Sequence, residues 1–299
     1  NGGASGTGTW AAQTNGVSTP LHGVYAADAN NVWAVGDVVT TTGTILRTSN
    51  GGTAWAAQTT TSGEDLRGIF GTSATSLVIV GTNGEILRSN NGTTWSADTN
   101  SAINNLQSVW GPAANNLFAV GQAEVQLWNG ANWSNSTPLT TQDLWDVDGV
   151  DANNMWVVGN GGTILKWNGQ SFAAQTSGTT NDLDGVYAAS AMEAWVSGDL
   201  GTIRHTTNGG TSWTPQTSNA GTEYLDVIIG TDAMNLWAFG NNGGIVHTTN
   251  GGTTWATQNS GVSTNFDGAF AADAMNLWVV GVGGIIRHTT DGGANWGMQ

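Results

Sequence analysis

The stretch Thr206-Thr207-Asn208-Gly209-Gly210-Thr211-Ser212-Trp213 decides the fold of this chain. It places a hydroxyl, an amide and two glycines at a tight turn, and it ends on a tryptophan that starts the next strand. The same spacing, Thr-x-(Asn/Asp)-x-Gly-x-x-Trp, occurs four times. Its defining residues are Thr48, Asn50, Gly52 and Trp55; Thr206, Asn208, Gly210 and Trp213; Thr248, Asn250, Gly252 and Trp255; and Thr289, Asp291, Gly293 and Trp296. Recurrence at one spacing indicates a repeat protein.

An aromatic residue after each turn recurs along the whole chain. These anchors are Trp10, Trp55, Trp95, Trp133, Phe172, Trp213, Trp255 and Trp296. Successive anchors are about 41 residues apart, which is the length of four short strands and of a propeller blade. No apolar pattern keeps a helical period over the length of a helix. The sequence therefore predicts an all-β fold: a single seven-bladed β-propeller over residues 1–299, with four antiparallel strands per blade.

Two copies of the turn are shorter than the others. Trp128-Asn129-Gly130 and Trp167-Asn168-Gly169 replace the long motif. Asn-Gly is the pair that favours a two-residue type I′ hairpin, so a shorter connection is expected at the same place.

The chain carries one candidate fourth strand more than a seven-bladed ring needs. Either Trp10-Ala11-Ala12-Gln13-Thr14 completes the last blade across the termini, or Trp296-Gly297-Met298-Gln299 completes it locally. The fuller strand favours the first alternative and the complete turn motif at Asp291 favours the second, so both stay open.

Composition excludes several classes of function. The formal net charge is −15, with 21 acidic residues against six Lys and Arg, which opposes binding to nucleic acid or to an anionic membrane. The absence of cysteine excludes disulfides and thiolate metal sites, and no apolar run is long enough for membrane insertion. Abundant Thr, Asn, Ser and Gly with a single lysine, and a first residue other than Met, favour a processed bacterial protein that is secreted, periplasmic or at the cell surface. No cofactor is expected.

At the repeated turns the sequence resembles Asp-box propellers, also called BNR-repeat proteins, whose signature is Ser/Thr-x-Asp-x-Gly-x-x-Trp. Along the chain the motifs x-Trp-x-Val-Gly, Gly-Thr-Ile-Leu and Asn-Gly-Gly-Thr-x-Trp follow one another in this order. This order is similar to that of the Ycf48-like photosystem II assembly factors. Asn50, Asn208 and Asn250 stand where the family has Asp, and Asp291 conforms. The resemblance implies a propeller and, more weakly, a scaffold for a protein partner. The motif itself packs blades in enzymes and binding proteins alike.

Six basic residues occupy one repeated position just before the turns. They are Arg47, Arg88, Lys166, His205, His247 and His288. Equivalent positions on different blades are far apart, whereas a zinc site needs ligands within about 2.0–2.3 Å of one ion. We therefore expect no metal site, but a ring of partly exposed cations.

No catalytic residues are predicted. Sialidase chemistry needs arginines that converge, yet Arg47 with Arg88, and Arg204 with Arg287, are repeat-equivalent and radiate around the ring. Only Arg67 lies on an innermost strand. Glu223 and Tyr224 form the one acid–tyrosine pair of enzyme-like appearance, but adjacent strand residues point to opposite faces.

The most variable position of the repeat is the second residue of each innermost strand. It is occupied in turn by His22, Arg67, Gln107, Trp145, Asp184, Asp226 and Asp267. Residues just before these strands include Asp65, Asn105, Asp143, Asp182, Tyr224 and Asn265. Innermost strands line the axial channel, so these side chains should crowd one mouth of it. A varied position on a regular scaffold suits a binding site, although a wet channel mouth also tolerates any polar residue.

Two tryptophans fall outside the regular positions. Trp110 shares its column with Tyr25, Phe70, Tyr187 and Phe270, which favours the core, whereas Trp145 has polar counterparts and is the better candidate for exposure. An exposed indole can anchor a protein partner or stack on a sugar.

We therefore expect a non-enzymatic binding or scaffold module for a protein partner, and the acidity suggests that this partner is basic. The alternative is a multivalent glycan-binding propeller that uses Trp, Asn and Asp between blades. A glycoside hydrolase comes third.

Overall fold

A computed structural model of the chain describes residues 11–12, 14–102, 104–136, 140–221 and 223–293. They form seven sheets, each of four antiparallel strands. In six sheets the strands pair in chain order, and the seventh contains strands from both ends of the described chain. The predicted seven-bladed β-propeller is confirmed.

The strands are β1 (Ala11–Ala12); in blade 1, β2 (Leu21–Ala26), β3 (Val32–Val39), β4 (Thr42–Thr48) and β5 (Ala56–Ala57); in blade 2, β6 (Leu66–Ser73), β7 (Ser76–Gly81), β8 (Ile86–Ser89) and β9 (Ser96–Ala97); in blade 3, β10 (Leu106–Ala113), β11 (Asn116–Gly121), β12 (Glu124–Trp128) and β13 (Trp133–Ser136); in blade 4, β14 (Leu144–Asp151), β15 (Asn154–Gly159), β16 (Thr163–Trp167) and β17 (Phe172–Thr176); in blade 5, β18 (Leu183–Ala188), β19 (Ala194–Gly198), β20 (Thr202–Thr206) and β21 (Thr214–Thr217); in blade 6, β22 (Val227–Gly230), β23 (Leu236–Phe239), β24 (Gly244–Thr248) and β25 (Ala256–Asn259); in blade 7, β26 (Phe266–Ala271), β27 (Leu277–Gly281) and β28 (Ile285–Thr289).

Short 3₁₀ turns join the second and third strands of five blades. They are Thr82–Gly84, Asn160–Gly162, Asp199–Gly201, Asn241–Gly243 and Val282–Gly284. The described residues contain no helix long and apolar enough to cross a membrane.

The core lies between blades. Trp156 and Val158 of blade 4 pack with Leu183 and Val186 of blade 5, and equivalent apolar clusters fill other blade boundaries. A four-stranded sheet cannot bury both of its faces by itself, so each face is covered by a neighbouring blade. This explains why apolar residues occupy both faces of the strands.

The N-terminal side of the chain closes the ring. In blade 7, β1 pairs with β28, with Ala11 opposite His288 and Ala12 opposite Arg287. The Asn15 side chain strengthens this seam, because its Nδ2 donates to the Gly284 carbonyl at 2.7 Å. Of the two alternatives left open by the sequence, the structure therefore has the first. The anchors Trp10 and Trp296 lie outside the described residues.

The repeated turn is held by its own side chains. The Thr206 hydroxyl accepts the Gly210 N–H at 2.8 Å and donates to Asn208 Oδ1 at 3.0 Å, and Asn208 Oδ1 also accepts the Ser212 N–H at 3.0 Å. Only one side-chain oxygen is needed, which is why asparagine serves where the signature has aspartate. Asn208 Nδ2 adds a bond to the Ser212 hydroxyl at 2.9 Å. The turns at Thr48, Thr248 and Thr289 repeat the threonine bonds.

The two shorter connections are not two-residue type I′ hairpins. Trp128 pairs with Trp133, so four residues connect the strands. Gly130 has a positive φ of 93°, whereas a type I′ turn needs positive φ at both central residues. Asn129 Oδ1 instead accepts the N–H groups of Ala131 and Asn132 at 3.0 and 2.9 Å, and Asn168 does the same in blade 4. The side chain of asparagine, and not its tolerance of a left-handed backbone, determines this turn.

The anchor tryptophans link neighbouring blades. Trp213 Nε1 donates to Gln175 Oε1 of blade 4 at 3.1 Å, and Gln175 Nε2 donates to the Gly209 carbonyl at 3.0 Å. Trp95 with Gln58, and Trp255 with Gln216, repeat this arrangement. Trp133, Phe172, Trp213 and Trp255 are buried. The turn motif therefore has a structural role at the blade boundaries.

The basic residues before the turns stack on tryptophans. The imidazoles of His205, His247 and His288 lie nearly parallel to indole rings, with centroids 4.1, 4.4 and 3.9 Å apart. Lys166 and Arg47 take the same place over Trp156 and Trp33. Burial lowers the pKa of all three histidines, that of His288 to about 4. Among the described residues no three metal-ligating side chains lie close enough together to hold an ion.

Candidate functional site

The innermost strands enclose a cavity of about 620 Å³. They approach one another closely: a Cβ on Gly68 would lie 2.7 Å from the Gln107 carbonyl, and one on Gly268 would lie 2.4 Å from the His22 carbonyl. Glycine at this third position of the strand lets neighbouring strands run side by side in register. All seven predicted second-position residues line the cavity, namely His22, Arg67, Gln107, Trp145, Asp184, Asp226 and Asp267. The sequence-predicted ring is therefore assembled. Asp226 precedes β22 by one residue, because the ladder of blade 6 begins only at the pair Val227 and Phe239.

Blades 1 and 2 carry a paired, mixed-charge side of the ring. His22 Nε2 lies 2.7 Å from Asp37 Oδ1, and its Nδ1 lies 3.2 Å from Asp267 Oδ2. The Arg67 guanidinium lies 3.2 Å from Asp65 Oδ2. These contacts satisfy both basic groups of the ring, so neither is free to clamp an anionic substrate.

Blades 5 and 6 carry the unpaired side of the ring. Within the described residues, Asp184 and Asp226 have neither a hydrogen bond nor an ion pair. Burial first, and then the charge of Asp226, raises the pKa of Asp184 to about 8. Burial and the charge of Asp267 raise the pKa of Asp226 to about 7. A positive group placed between these carboxylates would relieve both effects.

The third side of the ring is uncharged. Gln107 and Trp145 fill it, and Trp145 Nε1 donates to Asn160 Oδ1 at 2.5 Å. Trp110 packs against the apolar cluster between blades 3 and 4, in line with the expected core position, whereas Trp145 is half-buried and not exposed as predicted; both residues line the cavity.

Two acids of blade 4 line the cavity and were missed by the sequence reasoning. Asp146 accepts the Ser108 hydroxyl at 2.7 Å and the Val186 N–H at 3.0 Å. Asp148 accepts the Ala188 N–H at 2.8 Å, and burial raises its pKa to about 7. Both therefore tie blade 4 to blade 5. The sequence did contain a sign of these residues. Asp146 occupies a repeat position that is glycine in four other blades, and Asp148 occupies one that is aromatic in five other blades.

At the opposite end of the cavity the lining includes Phe70, Trp110, Tyr187 and Phe270, and the buried Tyr25 packs against two of these rings. Tyr25 lies between Phe270 and Phe70, with ring centroids 5.0 and 6.1 Å away, and Phe70 lies 6.4 Å from Trp110. Tyr187 stands on the far side, where burial and the charge of Asp148 raise its pKa. The cavity thus has a polar end that contains the unpaired acids and an opposite end that is mainly aromatic, with Asp148 among the rings.

Asp143, Asp182 and Tyr224 do not line the cavity. Asp182 Oδ1 accepts the Gly161 N–H at 2.7 Å, which holds the 3₁₀ turn of the preceding blade. Asp65, Asn105 and Asn265 hold the preceding loops in the same way. Asp143 forms an isolated bridge with Gln122. Tyr224 is 42% exposed. The polar members of this predicted set therefore act as clips between blades.

No protein-family model matches the chain, and no curated protein matches its sequence. Solved structures do match. Ycf48 from Cyanidioschyzon merolae superposes with a TM-score of 0.75 at 17% identity, covering 94% of this chain and 98% of that one. A Ycf48 bound to a D1 peptide gives 0.79 at 16% identity, with 94% and 96% covered. Virginiamycin B lyase from Staphylococcus aureus gives 0.77 at 13% identity, with 94% and 98% covered. One of these propellers holds a peptide and another is named as a lyase, so the likenesses establish the fold and leave function to the site.

Proposed function

We propose that this chain is a non-enzymatic binding or scaffold module whose channel mouth takes a cationic segment of a protein partner. The observation that carries the proposal is the pair Asp184 and Asp226, which are half-buried and without partners in a ring whose other charged groups are paired. Burying carboxylates beside one another is unfavourable unless a positive group joins them. A lysine or arginine side chain supplies that group.

The size of the cavity agrees with a segment and not a folded domain. At about 620 Å³ it falls within the range of about 300–1,000 Å³ that is typical of ligand pockets. A propeller of the same fold has been solved with a peptide bound, which supports this kind of ligand.

Enzymatic alternatives have less support. Of the described arginines only Arg67 lines the cavity, and it is paired with Asp65. Neither Glu223 nor Tyr224 lines the cavity. A multivalent lectin would need accessible anchor tryptophans, yet Trp133, Trp213 and Trp255 are buried.

The proposal also includes a family, the Asp-box propellers, and a location outside the cytoplasm. The threonine and asparagine bonds of the repeated turns support an Asp-box propeller of Ycf48-like cadence. Composition alone supports an extracytoplasmic setting, and cell fractionation with an antibody to the chain tests it. An intracellular location would overturn that part without affecting the binding proposal.

An array of seven-residue peptides tests the function. We expect bound sequences to be rich in Lys and Arg, with affinity falling as salt rises. The double variant Asp184→Asn/Asp226→Asn should bind at least tenfold more weakly. The matched control is Asp232→Asn/Asp273→Asn, which makes the same two substitutions on turns outside the cavity. Equal weakening by both variants, or binding only on a glycan array, would contradict the proposal.

A further inference from the structure

One of the five 3₁₀ turns has an unusual residue at its centre. All five central residues have a left-handed backbone, with positive φ at Asn83, Gly161, Leu200, Asn242 and Gly283. Glycine and asparagine suit this conformation, whereas a leucine does not. The Leu200 side chain is also 54% exposed, so packing does not compensate for the strained backbone. A residue that is unfavourable in both respects indicates a role outside folding.

The position that usually clips such a turn is also unusual at this boundary. At four other boundaries an aspartate or asparagine accepts a backbone N–H from the preceding blade, as Asp182 does from Gly161, and at the boundary of blades 7 and 1 this position holds Pro20. At the boundary of blades 5 and 6 the equivalent residue is Tyr224, which has no short side-chain oxygen and is 42% exposed.

The two apolar substitutions adjoin one another. Gly201 N–H donates to the Glu223 carbonyl at 2.7 Å, and Leu225 N–H donates to the Gly198 carbonyl at 3.2 Å. These two bonds join the backbone on either side of Leu200 to the backbone on either side of Tyr224. The result is an exposed apolar pair in place of a polar clip.

The unpaired carboxylates lie at the same boundary. Asp184 is on β18 of blade 5, and Asp226 follows Tyr224 by two residues. Asp199 precedes Leu200 directly. An apolar pair next to unpaired acids is complementary to a segment that combines a large apolar residue with a cationic one.

We propose that the boundary of blades 5 and 6 is the docking point for a partner peptide in which a large apolar side chain lies beside a lysine or arginine. The apolar side chain contacts Leu200 and Tyr224, and the cationic one reaches Asp184 and Asp226. This inference rests on the proposed function and locates its site. A second copy of this chain does not fit, because its own net charge of −15 is repulsive.

Two synthetic peptides on a Gly/Ser background test the inference by calorimetry. One carries lysine next to leucine, and the other carries lysine next to alanine. We expect the leucine peptide to bind wild-type protein about tenfold more tightly, the effect of burying one aliphatic side chain. Leu200→Asn and Tyr224→Asn should each remove most of that preference while leaving the alanine peptide unaffected. Leu200→Asn should also fold at least as well as the wild type, since asparagine suits the turn.

Val282→Asn is the matched control. Val282 is 40% exposed in the equivalent turn of blade 7, and its replacement should leave the preference unchanged. If both peptides bind equally and only Asp184→Asn weakens them, the docking point is wrong and the proposed function stands. If neither peptide binds, the proposed function fails. Self-association that Leu200→Asn abolishes would make a second copy the occupant and overturn the inference.

Discussion

A carboxyl group that is partly buried, with other carboxyl groups beside it, loses its proton only at a raised pH. In the unfolded chain Asp184 and Asp226 have pKa values near 3.9, whereas in the fold they are raised to about 8 and about 7. Between about pH 4 and pH 8 the folded state therefore binds more protons than the unfolded state. The contribution of these two groups to the free energy of unfolding is greatest below about pH 4, and it decreases as the pH rises towards 8.

Asp184→Asn should remove part of this pH dependence. We expect the variant to be about 1 kcal/mol more stable than the wild type at pH 9, where Asp184 is ionised, and to match it at pH 5. Urea unfolding at the two pH values measures the difference. Asp232→Asn gives the opposite sign, because bonds with Asn235 and Met234 lower the pKa of Asp232. An Asp184 variant that is equally stabilised at both pH values would show that ionisation is not the cause.

The side-chain oxygen of Asn208 holds the whole repeated turn together, because it accepts hydrogen bonds from both Thr206 and Ser212. Asn208→Ala deletes the acceptor of the Thr206 hydroxyl and of the Ser212 N–H, which should cost about 1–2 kcal/mol. Asn208→Asp keeps the acceptor and should stay within about 0.5 kcal/mol of the wild type. The midpoint of urea unfolding, at constant m-value, measures both. Equal losses in the two variants would mean that the amide nitrogen matters more than the oxygen.

The repeated elements were predictable, because their side chains satisfy needs that recur in every blade. The spacing from Thr206 to Trp213 specifies a turn and an interblade anchor together, and the second-position ring follows from strand periodicity. Asp146 and Asp148 could not be assigned in the same way, since their partners Val186 and Ala188 lie on the next blade. The pairing of Leu200 with Tyr224 likewise depends on which loop meets which strand end across a boundary. The local sequence pattern is enough to predict a single blade. Contacts between blades can be assigned only once the arrangement of the blades in the ring is known.

At the scale of the molecule, closure involves the pairing of β1 with β28, which among the described residues places Ala11 opposite His288 and Ala12 opposite Arg287. A variant lacking residues 1–13 loses β1 and leaves β28 without its outer neighbour, although Asn15 remains. We expect its free energy of unfolding to fall by about 2–3 kcal/mol, because the lost backbone hydrogen bonds contribute about 1 kcal/mol each. A shorter deletion of residues 1–9 keeps β1 and serves as the control. Equal stability of the two deletions would show that β1 does not hold blade 7 together.

The seam also has a consequence for biosynthesis. A ribosome makes β1 first and reaches β28 only 273 residues later, counting from Ala12 to Ile285. At about 5–20 residues per second, β1 waits on the order of 15–55 seconds for its partner. A long apolar strand left unpaired for that time would invite association with neighbouring chains on a polysome. Alanine has a small side chain and a low propensity for strands, so the segment Ala11–Ala12 is a weak template for such association while the chain is being made.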